Sequence, residues 1–212
     1  MSQGDLVSKD PFKQFDNWFK LAKSNPEIVE PHSMTLATVK EDGRPAARTV
    51  LLMGYDEKGF KFFTNNQSAK ASELTATPYA SLVFYWVQIC RSIRIEGKVE
   101  KLPQEITEDY FARRPQTSQL AALISPNQSS AIESRSILTQ RLNELQGKFK
   151  DDSPPLPEFM SAYIVIPDSI EFWQGQSTRM HDRILFTKKE NRIDSEFLHY
   201  GENGWVYQRL EP

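Results

Sequence analysis

Apolar positions recur at three and four residues near the start of the chain, then at every second residue through most of its length. In "DPFKQFDNWFKLAKS", Phe12, Phe15 and Phe19 fall on one helical face. Asp10 followed by Pro11 is a helix start, so the spacing predicts an amphipathic helix over Asp10–Ser24. "MTLATVKEDGRPAARTVLLMG" then sets two strand-like runs on either side of Asp42-Gly43, a dipeptide suited to a hairpin turn. "GFKFFTN" and "YASLVFYWV" read as further strands, with a short helix around "SAKASEL" between them and Ser68 as its cap. "RSIRIEGKVEKL" alternates apolar and polar residues, and Gly97 marks a bulge or bend within it.

The period changes in the middle. "QEITEDYFARR" follows Leu102-Pro103 and ends at Pro115, and "TSQLAALIS" is a second short helix. "SRSILTQRLNELQGKF" is a longer one, with Ile137, Leu138, Arg141, Leu142 and Leu145 on one face. After the connector "KDDSPPLP", strands return as "SAYIVIP", "SIEFWQG", "DRILFT" and "WVYQRL". There is no internal repeat, no βαβ alternation and no Gly-x-Gly-x-x-Gly, which excludes a dinucleotide-binding Rossmann fold. Strands at both ends joined by short turns predict a mainly β chain with peripheral helices (α+β), built on an antiparallel barrel. The chain reads as one domain over 1–212, with 1–9 disordered, 102–149 a helical insertion and 150–158 a connector.

Composition narrows the partners. The formal net charge of −2 over 212 residues gives no global attraction to nucleic acid or membrane, so any anion site is local. Cys90 is the one cysteine, which rules out an intrachain disulfide, and no Cys/His cluster suggests a metal site. The start, "MSQGDLVSKD", lacks the apolar stretch of a signal peptide, and no apolar run approaches membrane-spanning length; the expectation is a cytoplasmic protein.

Candidate chemistry concentrates in "QSTRMHDRILF" (Gln176–Phe186). If this run is extended, Arg179, His181 and Arg183 share a face spanning roughly 13 Å, enough to reach two parts of a flat anionic ligand. The alternative is a solvated edge strand. Tyr110, Arg114 and Ser118 stand four residues apart, and hydroxyl, guanidinium and hydroxyl together suit a phosphate. Arg48 opens an apolar strand, "TNNQSAK" sets Thr64, Ser68 and Lys70 around a helix N-terminus, and "NQSS" precedes another helix. Each is weak alone.

Taken together, "FWQGQSTRMHDRILF", "FFTN", "ASLVFYW", "RIEGKVEKLP", "YFARRPQTSQ", "NQSS" and the terminal "RLEP" closely resemble the pyridoxine (pyridoxamine) 5′-phosphate oxidase family, in the same order, from about Asp10 to Pro212. The resemblance implies an FMN-binding split β-barrel, homodimeric, with FMN at the subunit interface. It implies oxidation of pyridoxine or pyridoxamine 5′-phosphate to pyridoxal 5′-phosphate, by hydride transfer from C4′ to flavin N5, with O2 as acceptor giving H2O2. By position, Arg48 and Lys70 are expected at the FMN phosphate, with Gln128 and Ser129 from the partner subunit. Thr49, Val50, Leu51, Phe63, Thr64, Trp173 and Arg183 are expected at the flavin. Tyr110, Arg114 and Ser118 are expected at the substrate phosphate, and the catalytic pair Arg179 and His181 over the pyridine ring.

Three positions depart from the family pattern. Met53 stands where a substrate-binding lysine is usual, Ala69 where a basic residue precedes Lys70, and Ser92 where a glutamine contacts flavin. Losing one charge-assisted contact costs about 1.5–3 kcal/mol, so weaker ligand binding is expected, with Arg91 and Arg113 as candidates to offset it. Two other readings stay open: a catalytically weak paralogue that binds pyridoxal phosphate or flavin without turnover, and another flavin-dependent split-barrel enzyme such as a reductase.

Overall fold

A computed structural model describes residues 6–150, 152–191 and 196–212. Of the stretch expected to be disordered, residues 1–5 lie outside this range. Leu6 packs against the core, and the N–H groups of Val7 and Ser8 donate to Gln14 Oε1.

The first helix, α1 (Pro11–Ser24), begins where the sequence places it: Asp10 Oδ1 accepts the N–H groups of Phe12 and Lys13, at 2.8 and 3.4 Å. The hairpin of β1 (Ser33–Val39) and β2 (Pro45–Asp56) turns through Gly43 at φ +80, a left-handed conformation that glycine adopts without strain. There follow β3 (Gly59–Asn65), α2 (Ala69–Ala76), β4 (Tyr79–Trp86) and β5 (Arg91–Lys101). Ser68 does occupy the N-cap of α2, but its hydroxyl donates to Asn65 O instead of accepting a helix N–H. The insertion is helical: α3 (Gln104–Ala112), α4 (Gln116–Ile124) and α5 (Arg135–Lys148). The chain closes with β6 (Met160–Gln174), β7 (Asp182–Lys188), the short β8 (His199–Tyr200), which the sequence reading missed, and β9 (Trp205–Leu210).

Strands β1 to β6 form an antiparallel barrel in the order β3-β2-β1-β4-β5-β6, closed by pairing of β3 with β6. The sheet then runs on from β6 through β7, β9 and β8. The two strands expected at "SAYIVIP" and "SIEFWQG" are one strand of 15 residues, β6. Pro167, which has no N–H to give, is accommodated because the register with β5 shifts beside it: Glu96 faces Ser169, Gly97 faces Pro167, and Asp168 is the extra residue. Gly97 is required here, because a Cβ at this position would lie 2.0 Å from Ile166 O.

The core is aromatic. Phe15 of α1 meets Tyr55, Phe60 and Phe84 edge-on, and Trp18 meets Phe172 in the same way. Each buried side chain of this size contributes about 1.5–3 kcal/mol through the apolar surface it removes from water, and α1 supplies Phe12, Phe15, Trp18 and Phe19. By contrast α5 has no fully buried residue. Its half-buried positions are Ile137, Leu138, Arg141, Leu142 and Leu145, the face the periodicity marks. No described helix is long and apolar enough to cross a membrane.

Candidate functional site

One cavity of about 290 Å³ gathers many of the residues singled out in the sequence. Its walls include Thr49, Val50 and Leu51 of β2, Phe63 and Thr64 of β3, Lys70 of α2, Tyr110 and Arg114 beside α3, and Gln128. The strands put them there simply. Thr49 to Leu51 lie in the middle of β2, just before its pairing with β3 begins at Leu52, and Phe63 and Thr64 lie on β3, whose other edge is bound to β6.

Cations and aromatic faces alternate in this cavity. The Arg114 guanidinium carbon is 5.5 Å from the Phe63 ring centroid and 6.0 Å from that of Tyr110. Lys70 Nζ donates to Gln128 Oε1 at 3.0 Å, and the Ala69 N–H donates to Ser129 Oγ at 3.4 Å. Burial, together with the nearby Arg48, pushes the Lys70 ammonium below its ordinary pKa. Gln128 and Ser129 were expected to arrive from a partner subunit; here they meet Lys70 and Ala69 of their own chain. Asn65 explains the placement, since its side-chain amide donates to the carbonyls of Ser125 and Pro126, at 2.9 and 2.7 Å, and fixes the loop that carries them. Ser118 sits on α4 with its N–H donating to Pro115 O.

Arg48, expected at the FMN phosphate, is engaged within the chain. Its Nη2 donates to Glu73 Oε2 at 2.7 Å, and its Nη1 contacts Thr38 Oγ1 and Leu36 O. Burial favours the neutral form of Glu73, but the hydrogen bonds from Thr38 and Arg48 outweigh it and hold the carboxyl below its usual range. Glu73 was not identified from sequence. Its pairing with a residue 25 positions away leaves no local signal.

The departures have visible consequences. Met53 is the extra residue of a bulge in β2, between Leu52 opposite Phe62 and Gly54 opposite Lys61. Ser92 Oγ donates to Phe84 O at 3.0 Å, so this short side chain is turned back onto its own sheet. Neither candidate replacement faces the cavity. Arg91 lies over the Trp18 ring at 4.5 Å and donates to Gln174, while Arg113 is paired with Asp109.

The charged run at Gln176–Phe186 is not extended throughout. Strand geometry begins only at Asp182, and residues 175–181 form a loop closed by the Arg179 N–H donating to Gln176 O, with Arg179 at φ +63. The alternation expected for Arg179, His181 and Arg183 therefore fails at Arg179. A Cβ on Gly175 would lie 2.9 Å from the Trp173 ring and 3.2 Å from Cys90 Cβ, so a side chain here would displace its neighbours. The Gln176 N–H donates to His181 Nδ1 at 3.1 Å, and the Gln176 side chain donates to Asp182 Oδ2 at 2.9 Å. A backbone N–H is only a donor, so the neutral His181 ring carries its proton on Nε2. The ring packs against Trp173 with centroids 4.8 Å apart. Burial would raise the Asp182 pKa, but hydrogen bonds that include those from Gln176 and Arg209 hold it at about 2.

Trp173 and Arg183 sit opposite each other on β6 and β7, and with Ser92 they line a second cavity of about 430 Å³. His181 lines neither this cavity nor the first. Within one chain the predicted residues thus form separate groups: a cationic cavity on the barrel and a Trp173–Arg183–His181 platform on the sheet extension.

Comparison with known proteins identifies the family. Residues 22–149 match the family model described as pyridoxamine 5′-phosphate oxidase, and residues 161–212 match the pyridoxine 5′-phosphate oxidase C-terminal dimerisation region. The chain is 47% identical over 210 residues to pyridoxine-5′-phosphate oxidase of Bos taurus, covering 98% of this chain and 80% of that protein. It is 48% identical over 211 residues to pyridoxine/pyridoxamine 5′-phosphate oxidase of Bombyx mori, covering 98% and 82%. Among solved structures, PhzG from Burkholderia lata 383, in complex with tetrahydrophenazine-1-carboxylic acid, superposes with a TM-score of 0.84 at 25% identity, over 100% of this chain and 97% of that one. On the sequence models, the curated relatives and the shared barrel, this chain belongs to the pyridoxamine 5′-phosphate oxidase family.

Proposed function

We propose that the protein is an FMN-dependent oxidase that converts pyridoxine or pyridoxamine 5′-phosphate to pyridoxal 5′-phosphate, with O2 as the final acceptor and H2O2 as product. The observation that carries this reading is the barrel cavity, where Lys70, Gln128, Arg114 and Tyr110 share one space with Phe63 and the exposed edge Thr49–Leu51. Cationic donors beside an aromatic wall fit a phosphorylated planar ring, and the donor set fits FMN.

FMN supplies the two-electron chemistry when bound. The chain's own residues bind and orient. Lys70, with the N-terminal turn of α2, holds the cofactor phosphate; Arg48 adds positive field, partly neutralised by Glu73. Tyr110, Arg114 and Ser118 hold the substrate phosphate, and Met53 contributes no charge there. Trp173 and Arg183 cover the flavin. His181 offers Nε2–H as a hydrogen-bond donor to the pyridine substrate, and Arg179, from the same loop, is assigned to the same ligand. Orientation matters because a misplacement of about 1 Å can lower the rate of such a transfer about a hundredfold.

The separation of cavity and platform supports a homodimer, in which the platform of one copy closes the cavity of the other. The match to a C-terminal dimerisation region covers that platform, and Leu51, Tyr85 and Val87 expose apolar surface. An oxygen-coupled assay with both vitamers, with and without added FMN, tests the reading. Oxygen uptake with formation of pyridoxal 5′-phosphate is expected; no turnover with excess FMN overturns it.

The second reading is a binding protein without turnover. Ser92 turned onto Phe84 and Met53 at the bulge favour it. Steady turnover of either vitamer excludes it.

A further inference from the structure

Glu171 has no part in the reading above, yet it is 6% exposed and fully engaged. It lies on β6 opposite Arg94 of β5. Its Oε1 accepts from Arg183 Nε at 2.7 Å, and its Oε2 accepts from Arg94 Nη2 at 2.6 Å. Arg183 is tied at a second point, where Nη1 donates to the Glu211 carbonyl at 2.9 Å. Arg94 is also paired with Glu96, whose other oxygen accepts from Ser169 at 3.1 Å.

A carboxylate buried in a sheet carries a desolvation penalty, and an apolar residue of similar size often serves stability as well or better. A carboxylate placed here suggests another role, and the geometry supplies one. Arg183 is gripped through Nε and one Nη1 proton, so its guanidinium plane is fixed, and Nη2 with the second Nη1 proton remains to serve a ligand. Arg94, Glu171 and Arg183 all line the 430 Å³ cavity beside Trp173. The Glu171 carboxylate offsets part of the positive charge that the two guanidiniums bring to this lining.

We propose that Glu171 is a positioning residue for the cofactor: it fixes the Arg183 guanidinium toward the flavin and limits the positive charge beside the ring. This rests on the FMN reading above and adds a residue that acts through another. Hydrogen bonds that hold the Glu171 carboxyl below its usual range, against burial, keep it ionised for this role.

The test uses full-length apoprotein titrated with FMN by fluorescence quenching, thermal melts of the same samples, and the midpoint potential of the FMN-loaded form. Glu171→Gln is expected to weaken FMN binding about tenfold or more. It should also shift the potential to more positive values, because the cavity gains net positive charge that stabilises added electrons. A residue that only holds the fold would lower the melting temperature and leave both readouts in place. A folded Glu171→Gln protein with wild-type affinity and potential overturns the inference. If Glu171→Gln does not fold, a double-mutant cycle of Glu171→Asp with Arg183→Lys decides: non-additive losses of FMN affinity support the inference, and additive losses overturn it. Wild-type apoprotein that binds no FMN defeats the cofactor reading itself, an outcome distinct from any variant's behaviour.

Discussion

His181 Nδ1 accepts the backbone N–H of Gln176 at 3.1 Å, and this single bond assigns the tautomer of the ring. The expected result in two-bond 1H–15N correlation spectra at neutral pH is a protonated Nε2 and an acceptor-type Nδ1 for His181. A spectrum showing the Nδ1–H form would refute the assignment. If Nε2–H is the working donor, His181→Asn should lower turnover more than FMN affinity; equal wild-type turnover would remove His181 from the reaction.

Lys70 is the cation most exposed to a change of pH, because burial and Arg48 lower its pKa. As pH rises through that lowered value, Lys70 loses its charge and FMN affinity should fall earlier than an ordinary lysine would allow. Lys70→Ala should remove this alkaline limb and weaken binding by about 1.5–3 kcal/mol, read by titration of the apoprotein across pH.

Restoring the missing charges should strengthen the ligands one at a time. Met53→Lys is expected to lower the Michaelis constant for the phosphorylated substrate about tenfold, and Ala69→Arg to tighten FMN by a similar factor. Steady-state kinetics and FMN titration separate the two. If both variants behave as wild type, these positions do not face the phosphates.

The exposed apolar residues of the outer sheet give a test of assembly. Tyr85→Arg should shift the protein toward monomer and lower FMN affinity in parallel, measured by sedimentation and fluorescence titration. Full FMN affinity in a monomer would show that one chain suffices.

Acid should erode stability through Glu171. Its folded pKa is depressed, so its contribution is fully present above the unfolded carboxyl value of about 4.3 and is lost as pH falls through the folded value. The stability gap between wild type and Glu171→Gln, from urea melts, should be about 1–3 kcal/mol at neutral pH and close as pH falls through the depressed folded value.

Local signals carried the parts of the fold that local physics decides. Asp10-Pro11 starts α1, Asp42-Gly43 makes the first hairpin, and the half-buried face of α5 follows its apolar spacing. What the sequence reading missed depends on partners distant in the chain. Pro167 looked like a strand end, but a register shift against Gly97 lets β6 continue through it. Gln176–His181 looked extended, but Gly175 and a left-handed Arg179 make it a loop. Arg48 read as a strand-end cation, and its pairing with Glu73 was not visible; nor was the contact of Gln128 with Lys70 of its own chain, made as Asn65 ties the Gln128 loop down. The cavity residues were legible as a set; their division between two surfaces was not, because it depends on how the sheet closes.

That closure has a kinetic consequence. The seam joins Phe60 to Val165 and Asn65 to Met160, with the whole helical excursion between them, and β6 also carries Trp173 and Glu171 at its far end. Seams of such long sequence separation form slowly, since the entropy of a large loop is lost before the pairing compensates. The strand that seals the barrel is also the floor of the second cavity, so a chain caught before sealing has neither wall in place. If the chain binds FMN as proposed, flavin binding is expected to appear late in refolding, at the rate at which β3 zips to β6.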